Sequence, residues 1–188
     1  MIRILTDWMQ PKSWMFSEDL SFERNTREIC CKAYIRVSML TKLKYVGIQT
    51  EEPLNIYISF IRVTEYCAVL FHSSLTQEQS DSIENIQAVC LRVILGDNFV
   101  SYAAATEMCG LYFLSTRREK RCLSFSLKSI DHPQNKRMFP LNIKTDDHNL
   151  RIREMFQVNF ARTQSYSQSS IPYCQRMLNE YFMNLPSK

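Results

Sequence analysis

Carboxylate pairs are the first residues to test for chemistry, because two adjacent acids can hold metal ions for phosphoryl transfer. The chain has three such pairs, Glu18-Asp19, Glu51-Glu52 and Asp146-Asp147. Asp146-Asp147 sits in the polar run "KTDDHN" without apolar flanks, so it reads as a solvated loop and not as a metal cage. The three histidines, His72, His132 and His148, are far apart, and none has a cysteine or histidine at ligand spacing. Three glycines cannot build a phosphate loop, and no serine lies in a GxSxG turn. The seven cysteines (Cys30, Cys31, Cys67, Cys90, Cys109, Cys122 and Cys174) form neither a CxxC pair nor a zinc-finger pattern. Several fall among apolar residues at helical positions, so they read as reduced core residues, most of them buried and inert. No catalytic residue, metal site or cofactor is therefore expected.

Basic charge is the remaining signal. Residues 76–114 carry one basic and five acidic residues, whereas residues 115–188 carry 13 basic and six acidic ones. The excess begins with Arg117-Arg118-Glu119-Lys120-Arg121. At 100° per residue, Arg117, Lys120, Arg121, Ser124 and Lys128 share one arc of a helix. Cys122, Leu123, Phe125, Leu127 and Ile130 spread over a wide apolar arc, and Arg118 and Glu119 point toward the buried side. With Lys136 and Arg137 just beyond, the stripe has the spacing to follow a phosphate backbone of RNA or DNA without reading sequence. A solvated helix face is the plainer alternative.

Helices are needed to position such a stripe, and the composition supplies them. The 188 residues are 45% hydrophobic with only three glycines, which argues for a mainly α fold with a real core. We expect an irregular bundle of about five to six helices, with a loop-rich C-terminal tail. Trp14-Met15-Phe16 is compatible with a short N-terminal strand. Ile29, Ala33, Val37, Leu40 and Leu43 recur at helical spacing and predict a helix over Leu20–Val46, stopped by Gly47. Thr50 is placed to cap the next helix, with Pro53 in its first turn. "LNIYISFIRVTEYCAVLF", Leu54–Phe71, reads as one buried central helix, apolar nearly all round. It is not expected to span a membrane, because Arg62 and Glu65 at its centre would each cost about 2.5–3.5 kcal/mol.

Further along, the helix ends near His72-Ser73-Ser74, and Thr76 to Gln79 fits a capping box. In the helix that follows, Ile83, Ile86, Val89, Cys90, Leu91, Val93 and Ile94 face inward. Glu84, Asn85, Ala88 and Arg92 face out, and Gly96 ends it with a left-handed cap. Ser101 caps a shorter helix that Gly110 ends. The basic helix begins near Ser115 and stops at Asp131-His132-Pro133. Residues 140–170, including "TQSYSQSS", read as loop, and Ser170 with Pro172 starts a short C-terminal helix. No signal peptide is visible in Met1–Phe16, so an intracellular protein is expected.

Several spaced motifs occur together in one order. They are "REICCKAYIRVSMLTKLKYVGIQTEE", "IYISFIRVTEYCAVLFHSSLTQEQSDSIENIQAVCLRVILGDNFVSY", "MCGLYFLSTRREKRCLSF", "HPQNKRMFPLN" and "NFARTQSYSQSSIPYCQRMLNEY". Together this order resembles the region C-terminal to the palm in reverse transcriptases of non-LTR, LINE-type retrotransposons of the jockey-like kind. The likeness covers about Met15 to Tyr181. It implies a helical thumb and post-thumb segment that packs behind the palm and helps hold the template–product duplex. It divides the chain into a palm-edge remnant (1–19), a thumb-like helical domain (20–139) and an irregular tail with a short helix (140–188). The aspartates of an RNA-directed DNA polymerase would lie before residue 1, so the resemblance implies a truncated, catalytically inactive remnant of a transposable element. The sequence departs from the family at Ala103-Ala104, at Pro53 and over "TDWMQPKSW". With the palm absent, Trp8, Trp14, Phe16 and Phe22 would be uncovered and available for self-association. A protein-interaction module, or a genomic relic without function, is the alternative reading.

Overall fold

The computed structural model describes residues 22–47, 51–62, 67–142 and 154–184. The strand at Trp14–Phe16, the Thr50 cap, the pairs Glu18-Asp19 and Asp146-Asp147, His148, and the aromatic residues Trp8, Trp14 and Phe16 lie outside them.

The described residues form a mainly α bundle of eight helices in chain order. They are α1 (Glu23–Tyr45), α2 (Glu51–Ile56), α3 (Ala68–Phe71), α4 (Gln77–Leu95), α5 (Tyr102–Met108), α6 (Leu114–Ile130), α7 (Gln164–Ser167) and α8 (Ser170–Met183). Among these residues there is no strand, only a single antiparallel bridge between Leu141 and Phe156. Five helices have seven or more residues. The other three, α2, α3 and α7, are one or two turns long, too short to leave a period in the sequence.

Most of the local signals act as expected. Thr76 Oγ1 accepts the Gln79 amide at 3.2 Å while Gln79 Oε1 accepts the Thr76 amide at 3.0 Å, a complete capping box at the start of α4. Ser101 Oγ accepts the Ala104 amide and so caps α5. Gly47 and Gly110 stop their helices at φ 91° and 61°, where a side chain would be strained. Gly96 also has positive φ, 57°, but its ψ of −123° lies outside the left-handed helical region expected for it. Thr163 caps α7, so "TQSYSQSS" is partly helical and not wholly loop.

Leu54–Phe71 differs most from expectation. The α geometry gives way at Tyr57–Ile61 to a turn of π-helix. Cys67 then adopts a left-handed conformation, φ 61°, which an α-helix of L-residues cannot continue through. Tyr57 and Ile61, at the two ends of the π turn, are both buried in the core. Phe60 and Leu70 stay exposed, so the segment is not apolar all round in its burial. Phe22, expected on an uncovered face, is buried beside the N-terminus of α1, its ring 6.2 Å from that of Phe71.

Three small cores hold the bundle. The first joins α1, the π turn, α4 and α5 through residues such as Ala33, Leu40, Tyr57, Cys90 and Ile94. The second gathers Phe22, Ile29, Phe71, Ile83 and Leu114. The third clamps α8 to α6 through Cys122, Phe139, Phe156, Cys174 and Leu178. Burial raises the thiol pKa of Cys90 and Cys122 to about 12, so both stay protonated. All seven cysteines are free, but Cys31 is exposed on α1 and does not belong to the core. No single helix among the described residues is long and apolar enough to cross a membrane.

Candidate nucleic-acid interface

The basic helix α6 owes its orientation to its inner face. Leu114, Arg118, Cys122, Ser126 and Ser129 are buried at spacings of three or four residues, which place them on one side of the helix. Ser126 Oγ donates to the Cys122 carbonyl, satisfying a hydroxyl that would otherwise be stranded in the third core. The opposite face must then point outward. Lys120, Arg121, Ser124 and Lys128 are exposed there, and Arg117 is half-buried. Phe125, assigned to the apolar arc, is 42% exposed beside them. By period it shares the side of Leu114 and Arg118, yet it is left partly uncovered.

The N-terminus of α6 is an electrostatic problem. Arg117, Arg118, Lys120 and Arg121 crowd its first two turns, where the helix dipole is positive, and its first turn holds no acid. Phe113 precedes it and provides no side-chain cap. Glu84, from α4, supplies the missing negative charge. Its carboxylate accepts the amides of Leu114 at 2.8 Å and Ser115 at 3.1 Å, and the hydroxyl of Tyr102. Burial, and then the Glu84 hydrogen bond and charge, raise the Tyr102 pKa, so the phenol stays a donor. Glu84 was expected on the solvent face, and nothing in its local sequence marks it as a remote cap.

Gln87 completes this polar network. It is fully buried; its Oε1 accepts Tyr57 Oη–H and its Nε2 donates to Tyr102 Oη and to the Tyr112 carbonyl. Sequence reasoning missed Gln87 too, although a signal existed. It lies four residues after Ile83 and three before Cys90, squarely on the inner stripe of α4.

Arg118 does face inward, as the wheel placed it, and is completely buried. Its Nη2 donates to Ser80 Oγ at 3.0 Å and its Nε to His72 Nδ1 at 3.4 Å. Glu119, expected on the buried side as well, is exposed and borders a cleft of about 400 Å³ with His72, Asp81 and Glu84. Burial, and then the Arg118 charge, lower the His72 pKa to about 4. The neutral ring accepts from Arg118 at Nδ1, which leaves the Nε2 proton to meet Tyr173 Oη at 3.4 Å.

This arrangement gives a pH prediction. His72 binds its proton more weakly folded than unfolded, where the ordinary pKa is about 6.5. Its contribution to stability is complete above pH 6.5 and is lost as pH falls toward 4. His72→Gln is expected to flatten the decline of melting temperature over that window, while lowering the plateau near neutrality. An unchanged acid limb in a thermal scan series would refute the assignment.

The stripe itself is brought together only in part. Lys120, Arg121 and Lys128 stand on the outer face of α6, with Arg117 at its edge. Lys120 Nζ rests 3.5 Å from the centroid of the exposed Tyr112 ring. Lys136 and Arg137 are exposed on a separate short turn, Lys136–Met138, after the helix has ended. Among the described residues no carboxylate lies within salt-bridge distance of Lys120, Arg121, Lys128, Lys136 or Arg137; the ion pairs there all sit along α1. Among the described residues, too, no group of three or more His, Cys, Asp or Glu side chains could hold a metal ion. Comparison of the chain with known protein families, curated proteins and solved structures finds no match.

Proposed function

We propose that this chain is a non-catalytic helical module that binds the backbone of RNA or DNA, with a thumb-like origin in a non-LTR retrotransposon reverse transcriptase. The observation that carries the binding is the outer face of α6. Lys120, Arg121 and Lys128 are exposed on one side of a rigid helix and form no ion pair with any described carboxylate. Structural surface charges are commonly paired at helical spacing, as Arg24, Arg27 and Lys32 are on α1. With no described carboxylate against them, Lys120, Arg121 and Lys128 keep their attraction for a polyanion. Lys136 and Arg137 extend the positive surface beyond the helix end. The origin rests on the order of sequence motifs alone.

Salt dependence tests the reading. With about four phosphate contacts, duplex affinity falls about a hundredfold between roughly 50 and 200 mM salt. For Arg121→Ala with Lys128→Ala, the fall over that range shrinks to about tenfold. Both side chains are exposed, so the melting temperature should move little. Binding that ignores salt, or whose salt dependence is the same after the double change, would remove the stripe from the interface.

A second reading is favoured by a different surface. On α1, Ile35 and Met39 are each 50% exposed, with Tyr34 beside them, and Val46, just past the helix end, is 79% exposed. An apolar strip of this kind suits a protein–protein contact. Concentration-dependent sedimentation that Met39→Lys abolishes, without salt-sensitive nucleic-acid binding, would favour it.

A further inference from the structure

Between α6 and α8 lies a shallow, open groove of about 420 Å³ lined by Lys120, Leu123, Ser124, Leu127, Lys128 and Tyr181. Its floor is apolar and its rim is cationic. Lys120 and Lys128 are eight residues apart on one helix, a separation of about 12 Å along the axis. The two charges therefore bracket the floor. The Lys120 end is fixed, because its ammonium is held over the Tyr112 ring. Tyr181 is braced as well. It meets Phe182 edge-on at 5.4 Å, and Phe182 packs 5.9 Å from Phe156 in the third core.

An occupant must combine repeating negative charge with flat apolar faces. No carboxylate appears among the described residues lining the groove, which favours a negatively charged occupant. A duplex meets only the first condition, because its base faces are stacked inside and an apolar floor adds nothing to phosphate contacts. An unpaired strand meets both, since every base offers a ring face to aromatic and aliphatic side chains. We propose that the α6–α8 groove seats an unpaired base of a single-stranded nucleic acid. Tyr181, Leu123 and Leu127 lie against the base, and Lys120 and Lys128 hold the flanking phosphates. The inference rests on the backbone-binding reading above and adds single strands as the preferred ligand class.

The test compares a short oligothymidylate with an abasic strand of equal length and charge, by fluorescence anisotropy. The intact protein is expected to bind the thymidylate about tenfold more tightly, the gain typical of one base stacked on an aromatic ring. Tyr181→Ala should make the two strands equal while leaving duplex affinity and its salt slope unchanged. Leu127→Gln is a second variant of the same floor and should act in the same direction. Equal affinity for both strands in the intact protein, with salt-sensitive duplex binding preserved, overturns the base seat and leaves the backbone reading standing. Absence of binding to any of the three ligands overturns both. Displacement by polyglutamate as effective as by thymidylate at matched charge also overturns the base seat, since an acidic peptide would then satisfy the groove.

Discussion

Replacing Arg118 with alanine is expected to lower the free energy of unfolding by about 2–4 kcal/mol, from the cavity it leaves and the hydrogen-bond partners it deserts. Arg118 is fully buried in the middle of the bundle. Its guanidinium ties three elements together: α6 by its backbone, α4 through Ser80, and the turn His72–Ser74 through the imidazole of His72. Alanine leaves Ser80 and His72 without this donor and opens a cavity where a long side chain stood. In a chain of this size such a loss corresponds to a drop in melting temperature of about 10 °C. Lysine should recover only part of it, because one ammonium cannot reproduce the two-directional fork. Arg118 is also the second cause of the depressed His72 pKa, so its removal should lift that pKa and soften the acid limb. Urea unfolding near pH 7 and pH 5 reads both effects. A loss under about 1 kcal/mol would mean that Arg118 is a passenger in the core.

Glu84→Ala is expected to cost about 2–3 kcal/mol, from charged hydrogen bonds to two helix-terminal amides and a phenol. The helix that loses its cap is the one carrying the stripe, so stability and binding should decline together. Glu84→Gln keeps an acceptor for the Leu114 or Ser115 amide but no negative charge, and should recover about half. Hydrogen exchange gives a local readout. The Leu114 and Ser115 amides should exchange faster in Glu84→Ala than the α4 amides around Cys90. Uniform acceleration across the chain would show that Glu84 stabilises the fold globally and has no special hold on the start of α6.

What could be read in advance follows the range of the interactions. The Thr76–Gln79 capping box, the Ser101 cap and the glycine stops at Gly47 and Gly110 depend on residues within four positions of one another, and each is present. The inward stripe of α4 and the outward charge of α6 follow from period alone, and the structure reproduces both. Glu84 and Phe125 were misjudged because a helical wheel shows which residues share a side and not what lies opposite. Glu84 finds a helix terminus 30 residues away, and Phe125 is left partly uncovered. Leu54–Phe71 was misjudged because its few polar residues, among them Asn55, Ser59 and Arg62, do not interrupt a long apolar run enough to mark a change of helix geometry. The change to a π turn and the left-handed Cys67 leave no mark on hydropathy. Of the candidate site, Lys120, Arg121 and Lys128 were legible as a unit. The groove beside them was not, because Tyr181 comes from a helix that begins 40 residues after α6 ends.

Because α6 turns its five buried positions one way and its lysines the other, the two selective demands on it barely overlap. Drift at Lys120, Arg121 or Lys128 alters what the surface attracts without disturbing how the chain folds. Single codon changes can therefore retune or remove this surface charge and still leave an intact scaffold. The same partition lets a designer graft a new recognition surface onto this helix while leaving its interior alone.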